Sequence, residues 1–105
     1  VAAKHGILGL TKVTALENAE SGITCNAICP GWVLTPLVQK QIDARAEREG
    51  LSNAEAERAL LAEKQPSLRF TRPDDIAAAA LFLCSPAADN ITGTTITLDG
   101  GWTAR

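Results

Sequence analysis

The ten residues from Asn26 to Thr35 read Asn-Ala-Ile-Cys-Pro-Gly-Trp-Val-Leu-Thr. An apolar run reaches a Pro-Gly break and continues into a large indole, Trp32, and a hydroxyl, Thr35. If the run is a strand of a parallel sheet, this break lies at its carboxyl end, where α/β folds hold ligands. Two further blocks are candidates for the same chemistry. Lys4-His5 places a cation near the start of a helical pattern, and Asp99-Gly100-Gly101-Trp102 turns the chain beside a second indole. Taken singly, each has a plain explanation. A lysine on a helix is solvated, Pro30-Gly31 ends a strand, and Asp-Gly-Gly makes a turn. Together they point to a small-molecule site, and they need a scaffold that brings them to one place.

That scaffold is legible in the hydrophobic periodicity. Ala3, Ile7, Leu10, Val13 and Leu16 recur at three- and four-residue spacing, which predicts a helix over 1–20 ended by Ser21-Gly22. Gly6 and Gly9 weaken that helix intrinsically, so its apolar stripe is expected to be packed. Residues 23–29 read as a short buried strand stopped by Pro30-Gly31. A charged, amphipathic helix from Pro36 to about Glu49 closes at Gly50. Ser52-Asn53-Ala54-Glu55 has the form of a capping box that opens another helix, running to Lys64 and broken by Pro66. This charged pair, residues 36–66, reads as a surface excursion from the sheet. Pro73, Asp74 and Asp75 open a helix whose run from Ile76 to Cys84 is apolar almost all round, predicting burial on more than one side. Thr94–Leu98 alternates as a second strand. Helices between single strands predict a parallel α/β sheet, whose strands need covering on both faces. Two strands about 65 residues apart are too few to be stable alone, so further strands are expected from outside these residues.

Composition narrows the functional classes. The 105 residues carry 10 Lys and Arg against 12 Asp and Glu, with no basic block, which gives nucleic-acid binding no electrostatic basis. No apolar run approaches the roughly 18–20 residues of a membrane span. The three cysteines, Cys25, Cys29 and Cys84, form neither a paired disulfide framework nor a metal-ligand spacing, and His5 is the one histidine. Buried, reduced cysteines in a soluble cytoplasmic protein are the expectation, with no metal.

The blocks quoted above, in their order and spacing, resemble the C-terminal part of a short-chain dehydrogenase/reductase. The resemblance implies an α/β fold, the C-terminal segment of a Rossmann-type doubly wound parallel sheet, with residues 36–66 as a helical substrate lid. It makes Lys4 the catalytic lysine, which hydrogen-bonds the nicotinamide ribose and holds a positive charge beside a catalytic tyrosine. That tyrosine would fall one position before Val1, and the chain contains none. The family's catalytic serine and Gly-rich phosphate loop would also lie upstream. The 105 residues therefore read as part of an enzyme, expected to be inactive alone. The resemblance further implies that Pro30 and Gly31 shape the turn that meets the nicotinamide. Val33 would pair its backbone with the carboxamide, and the Thr35 hydroxyl would reach the carboxamide or a phosphate.

Trp32, Gln41 and Gly101-Trp102 extend the resemblance to the members that interconvert 3-hydroxybutyrate and acetoacetate with NAD. There Trp32 and Trp102 would wall an apolar pocket and Gln41 would donate to the substrate carboxylate. Two alternatives stand beside this one. The first is a family member acting on another small hydroxy acid or a 3-oxoacyl compound. The second is a non-catalytic chain that uses its helices for oligomer contacts, since the family usually forms homotetramers.

Overall fold

A computed structural model describes residues 1–104 as two compact units. One comprises Val1–Cys29 and Asp74–Thr97; the other comprises Pro30–Pro73 with Leu98 and the residues after it. In chain order the elements are α1 (Ala2–Glu17), β1 (Ala27–Pro30), α2 (Pro36–Glu49), α3 (Asn53–Lys64), α4 (Pro73–Leu83) and β2 (Thr95–Leu98). Short 3₁₀ turns occupy Pro86–Ala88 and Trp102–Ala104.

β1 and β2 form a two-stranded sheet. The Ala27 N–H donates to the Thr94 carbonyl and the Gly31 N–H to the Leu98 carbonyl, at 3.0 and 2.9 Å. A step of four residues on one strand matches a step of four on the other, in the same direction, so the pair is parallel. Pro30 belongs to the strand instead of stopping it, because the ladder resumes with the N–H of Gly31 and needs none from Pro30. Asn26 reinforces the entry to the first strand. Its side-chain amide donates to the Ile91 carbonyl and its side-chain oxygen accepts from the Thr94 N–H.

In the first unit, α1 buries only Thr11 and Ala15. The Thr11 hydroxyl turns back on the Ile7 carbonyl at 2.8 Å. The stripe predicted to be packed is uncovered: Ile7, Leu10, Val13 and Leu16 are all exposed, Leu16 at 78%. The same holds for α4, which was predicted to be buried on several sides and has no buried residue; Leu81 and Phe82 are exposed. Cys84 just beyond it is exposed too, against the expectation of burial, while Cys25 and Cys29 are half-buried and all three are free. The physical reason is the width of the sheet. Two four-residue strands offer too little surface to cover two apolar helices, so the periodicity marked apolar faces that these residues do not themselves cover.

The second unit holds the hydrophobic cluster. Val38, Ile42 and Ala46 recur every fourth residue on α2 and meet Ala56 and Leu60, four apart on α3. Trp32, Leu51 and Phe70 pack against them. The charged pair expected to be a surface excursion is therefore a helical hairpin with its own core, its charges turned outward. Local signals account for its ends. Thr35 caps α2 by accepting the Val38 N–H at 3.2 Å, and Pro36 follows at the first helical position. Gly50 ends the helix at φ 67°, the left-handed conformation glycine adopts most readily. Ser52 and Glu55 form the reciprocal capping box that opens α3. Arg45 spans the two helices, pairing with Glu49 at 2.8 Å and Glu63 at 2.7 Å.

Candidate functional site

The second unit gathers the carboxyl-end residues of both strands around one buried amide, Gln65. Its side chain is fully buried just past the C-terminus of α3. The Oε1 atom accepts the Trp32 N–H at 2.6 Å, and Nε2 donates to the Arg69 carbonyl. Thr71, also buried, completes the frame. Its N–H donates to the Trp32 carbonyl at 2.8 Å, and its hydroxyl donates to the Leu98 carbonyl at 2.6 Å. Both backbone polar groups of Trp32 are thus held. Gly31 is required by this packing: a Cβ there would lie 2.6 Å from Gln65 Oε1 and 2.9 Å from the Cα of Asp99.

The end of β2 is held separately. The buried carboxylate of Asp99 accepts from the Gly101 N–H at 3.0 Å, the Thr103 N–H at 2.9 Å and the Thr103 hydroxyl at 2.7 Å. Gly100 and Gly101 take φ of 59° and 96°, which closes the turn. The Thr103 hydroxyl first, then the backbone donors, hold the Asp99 carboxyl below its ordinary value against the opposing effect of burial. A depressed carboxyl stabilises the folded state above its unfolded value of about 3.9, and that contribution is lost as pH falls through the folded value. Thr103→Val, which removes the largest cause, is expected to move the acid-unfolding midpoint of the complete protein to higher pH. An unchanged midpoint, followed by circular dichroism, would show that the turn is held by its backbone alone.

The two tryptophans meet. Their ring centroids are 6.4 Å apart with an interplanar angle of 24°, an offset stack. Lys64 Nζ stands 4.9 Å from the Trp102 ring centroid, a cation–π contact. The indole Nε1 of Trp32 is buried and, among the described residues, has no hydrogen-bond partner. Both indoles are half-buried and together form an apolar wall.

The other sequence-derived candidates are placed as follows. Pro30 is exposed and Gly31 half-buried at the strand end. Val33 is half-buried, and among the described residues its backbone N–H and carbonyl take no partner. Thr35 is exposed; its oxygen caps α2, which leaves its own proton free to donate. Gln41 is exposed on α2, one residue before the buried Ile42, and its side chain makes no hydrogen bond among the described residues. Lys4 is exposed on α1 in the first unit. Gln65 and Thr71 were not singled out as site residues, and Asp99 entered only as part of the turn block 99–102. No local pattern marked Gln65 or Thr71 as partners of Trp32.

Residues 1–103 match the sequence family described as enoyl-(acyl carrier protein) reductase. Over all 105 residues the chain is 60% identical to the D-beta-hydroxybutyrate dehydrogenase of Cupriavidus necator and 50% identical to that of Rhizobium meliloti. It spans 41% of the length of each. A crystal structure of a short chain dehydrogenase family protein from Francisella tularensis superposes with a TM-score of 0.83 at 36% identity, over 99% of this chain and 43% of that one.

Proposed function

Since the chain belongs to the short-chain dehydrogenase/reductase family, we propose that the complete protein interconverts 3-hydroxybutyrate and acetoacetate with NAD. The observation that carries the substrate is the stacked Trp32–Trp102 wall. A pair of indoles offers a flat, water-poor surface to a methyl group, and Gln41, exposed with no partner among the described residues, is available to a carboxylate. The 60% identity to a D-beta-hydroxybutyrate dehydrogenase over the whole chain supports the same reading.

The strand end suits a nicotinamide. Val33 presents an N–H and a carbonyl without partners among the described residues, the complement of a carboxamide, and Thr35 retains a hydroxyl proton to donate. Pro30 and Gly31 set the turn that carries them. Bound there, the nicotinamide would exchange a hydride with the carbon bearing the substrate hydroxyl. Lys4 would bind the ribose and lower the pKa of a tyrosine, supplied by the rest of the protein, that handles the hydroxyl proton. Purified complete protein should reduce NAD with 3-hydroxybutyrate and do so far faster than with NADP or with 2-hydroxybutyrate. Turnover confined to NADP, or to a different hydroxy acid, would overturn the assignment. The 105 residues alone, without a tyrosine, should give no turnover.

Residues 36–66 serve as the lid in this reading. Their own hydrophobic core lets the α2–α3 hairpin move as a unit, and it follows directly from the nicotinamide turn. Closure of such a lid excludes water from the reacting atoms. Hydrogen exchange in this segment should slow when cofactor and substrate bind; full protection without ligand would count against a moving lid. The uncovered apolar faces of α1 and α4 are then buried by the remainder of a homotetrameric, cytoplasmic enzyme. Light scattering on the complete protein checks that assembly, since a monomer would remove it.

A further inference from the structure

Trp32 is positioned in an unusual way. Among the described residues its indole N–H has no partner, so no side-chain hydrogen bond orients the ring. The ring is placed by its backbone, by its stack on Trp102 and by packing against the α2–α3 cluster. The backbone N–H is fixed by Gln65 Oε1 and the carbonyl by the Thr71 N–H. Of these two anchors, Thr71 acts through its main chain, which most substitutions preserve. Gln65 acts through its side chain, which is fully buried and uses both of its functional ends, one toward Trp32 and one toward Arg69. A residue of another shape or polarity cannot make both bonds. The residue before it, Lys64, covers the Trp102 ring. The end of α3 therefore meets both tryptophans, the main chain of Trp32 through Gln65 and the ring of Trp102 through Lys64.

We propose that Gln65 is a positioning residue that fixes Trp32 against Trp102 and so sets the length of acyl chain the site accepts. It rests on the substrate reading above only for the identity of the acid. Gln65 touches neither the reacting atoms nor the substrate. Its side-chain oxygen holds the Trp32 N–H beside Gly31, where a Cβ would lie 2.6 Å from that oxygen. Without that bond the Trp32 N–H is left unpaired, and the loop shifts to reach water. The indole wall opens and the pocket admits a longer chain.

The test uses the complete protein with Gln65→Met, which keeps the side chain's length and removes both hydrogen bonds, and Gln65→Glu, which keeps an oxygen for Trp32. A tight apolar pocket discriminates by roughly 10- to 200-fold per methylene. The kcat/KM ratio for 3-hydroxybutyrate over 3-hydroxypentanoate should fall at least fivefold in Gln65→Met, with the change carried by KM, and less in Gln65→Glu. A ratio within twofold of the parent in both variants overturns the proposal, because general loss of folded enzyme cancels in a ratio. A second readout does not need turnover. Two stacked indoles give an exciton couplet in circular dichroism, identified as the signal lost in Trp102→Phe. That couplet should weaken in Gln65→Met and be largely kept in Gln65→Glu. An unaltered couplet in Gln65→Met overturns the proposal even if the parent enzyme acts on a different acid, whereas a parent that ignores 3-hydroxybutyrate overturns only the substrate assignment.

Discussion

Lys4→Ala in the complete protein should lower kcat by two or more orders of magnitude and move the pH dependence of the residual oxidation upward. Lys4 is exposed in the first turn of α1; in the function proposed above it would act on a tyrosine one helical turn earlier in the complete protein. A unit positive charge about 4 Å from a phenol, at an effective dielectric of about 20, favours the phenolate by on the order of 4 kcal/mol. Each pKa unit is about 1.4 kcal/mol, so the phenol falls by up to three units from about 10, toward neutrality. The sign follows from the charge. Removing a cation lets the phenol pKa rise, so the basic form needed for oxidation is populated only at higher pH. The same change removes a ribose contact, which raises KM for the cofactor as well. Lys4→Arg keeps the charge but not its point geometry and should retain more activity than Lys4→Ala. Steady-state rates across pH 6–10 decide it. A Lys4→Ala enzyme with a near-parental rate and an unmoved profile would remove Lys4 from the mechanism.

The parts of this structure that were legible in sequence are those set by neighbours along the chain. Pro36 at the start of α2, Gly50 at its end and the Ser52–Glu55 box are local signals, and each lies where the pattern put it; the Thr35 cap just before Pro36 was not read from the sequence. Burial was less legible. The stripe of Ile7, Leu10, Val13 and Leu16 states that one face of α1 is apolar, but periodicity does not say what covers that face. The charges of residues 36–66 suggested an excursion, yet Val38, Ile42, Ala56 and Leu60 make the hydrophobic cluster there, because a helix can be charged on one side and core-forming on the other. Gln65 left no local trace. A single glutamine after a helix has no period, and its role exists only because Trp32 and Arg69 fold to either end of its amide.

Gln41→Ala should separate substrate binding from cofactor binding. The side chain stands on α2 beside the buried Ile42, exposed and without a hydrogen-bond partner among the described residues. Among the described residues that amide supports no other group, so an effect on truncation is expected from the bound state. A hydrogen bond to a charged acceptor contributes roughly 1.5–3 kcal/mol, which is about 10- to 150-fold in kcat/KM. The loss should appear in KM for 3-hydroxybutyrate, with KM for NAD within twofold of the parent. Replacing the carboxylate of the substrate by a neutral amide should shrink the penalty, because the truncated enzyme then forfeits a weaker bond. Gln41→Asn tests reach: with one methylene fewer the amide falls short, and most of the loss should persist. If Gln41→Ala leaves kcat/KM for 3-hydroxybutyrate within twofold, Gln41 is a solvated helix residue. The carboxylate must then be held by groups elsewhere in the protein, and the substrate assignment would rest on the Trp32–Trp102 wall and the sequence identity.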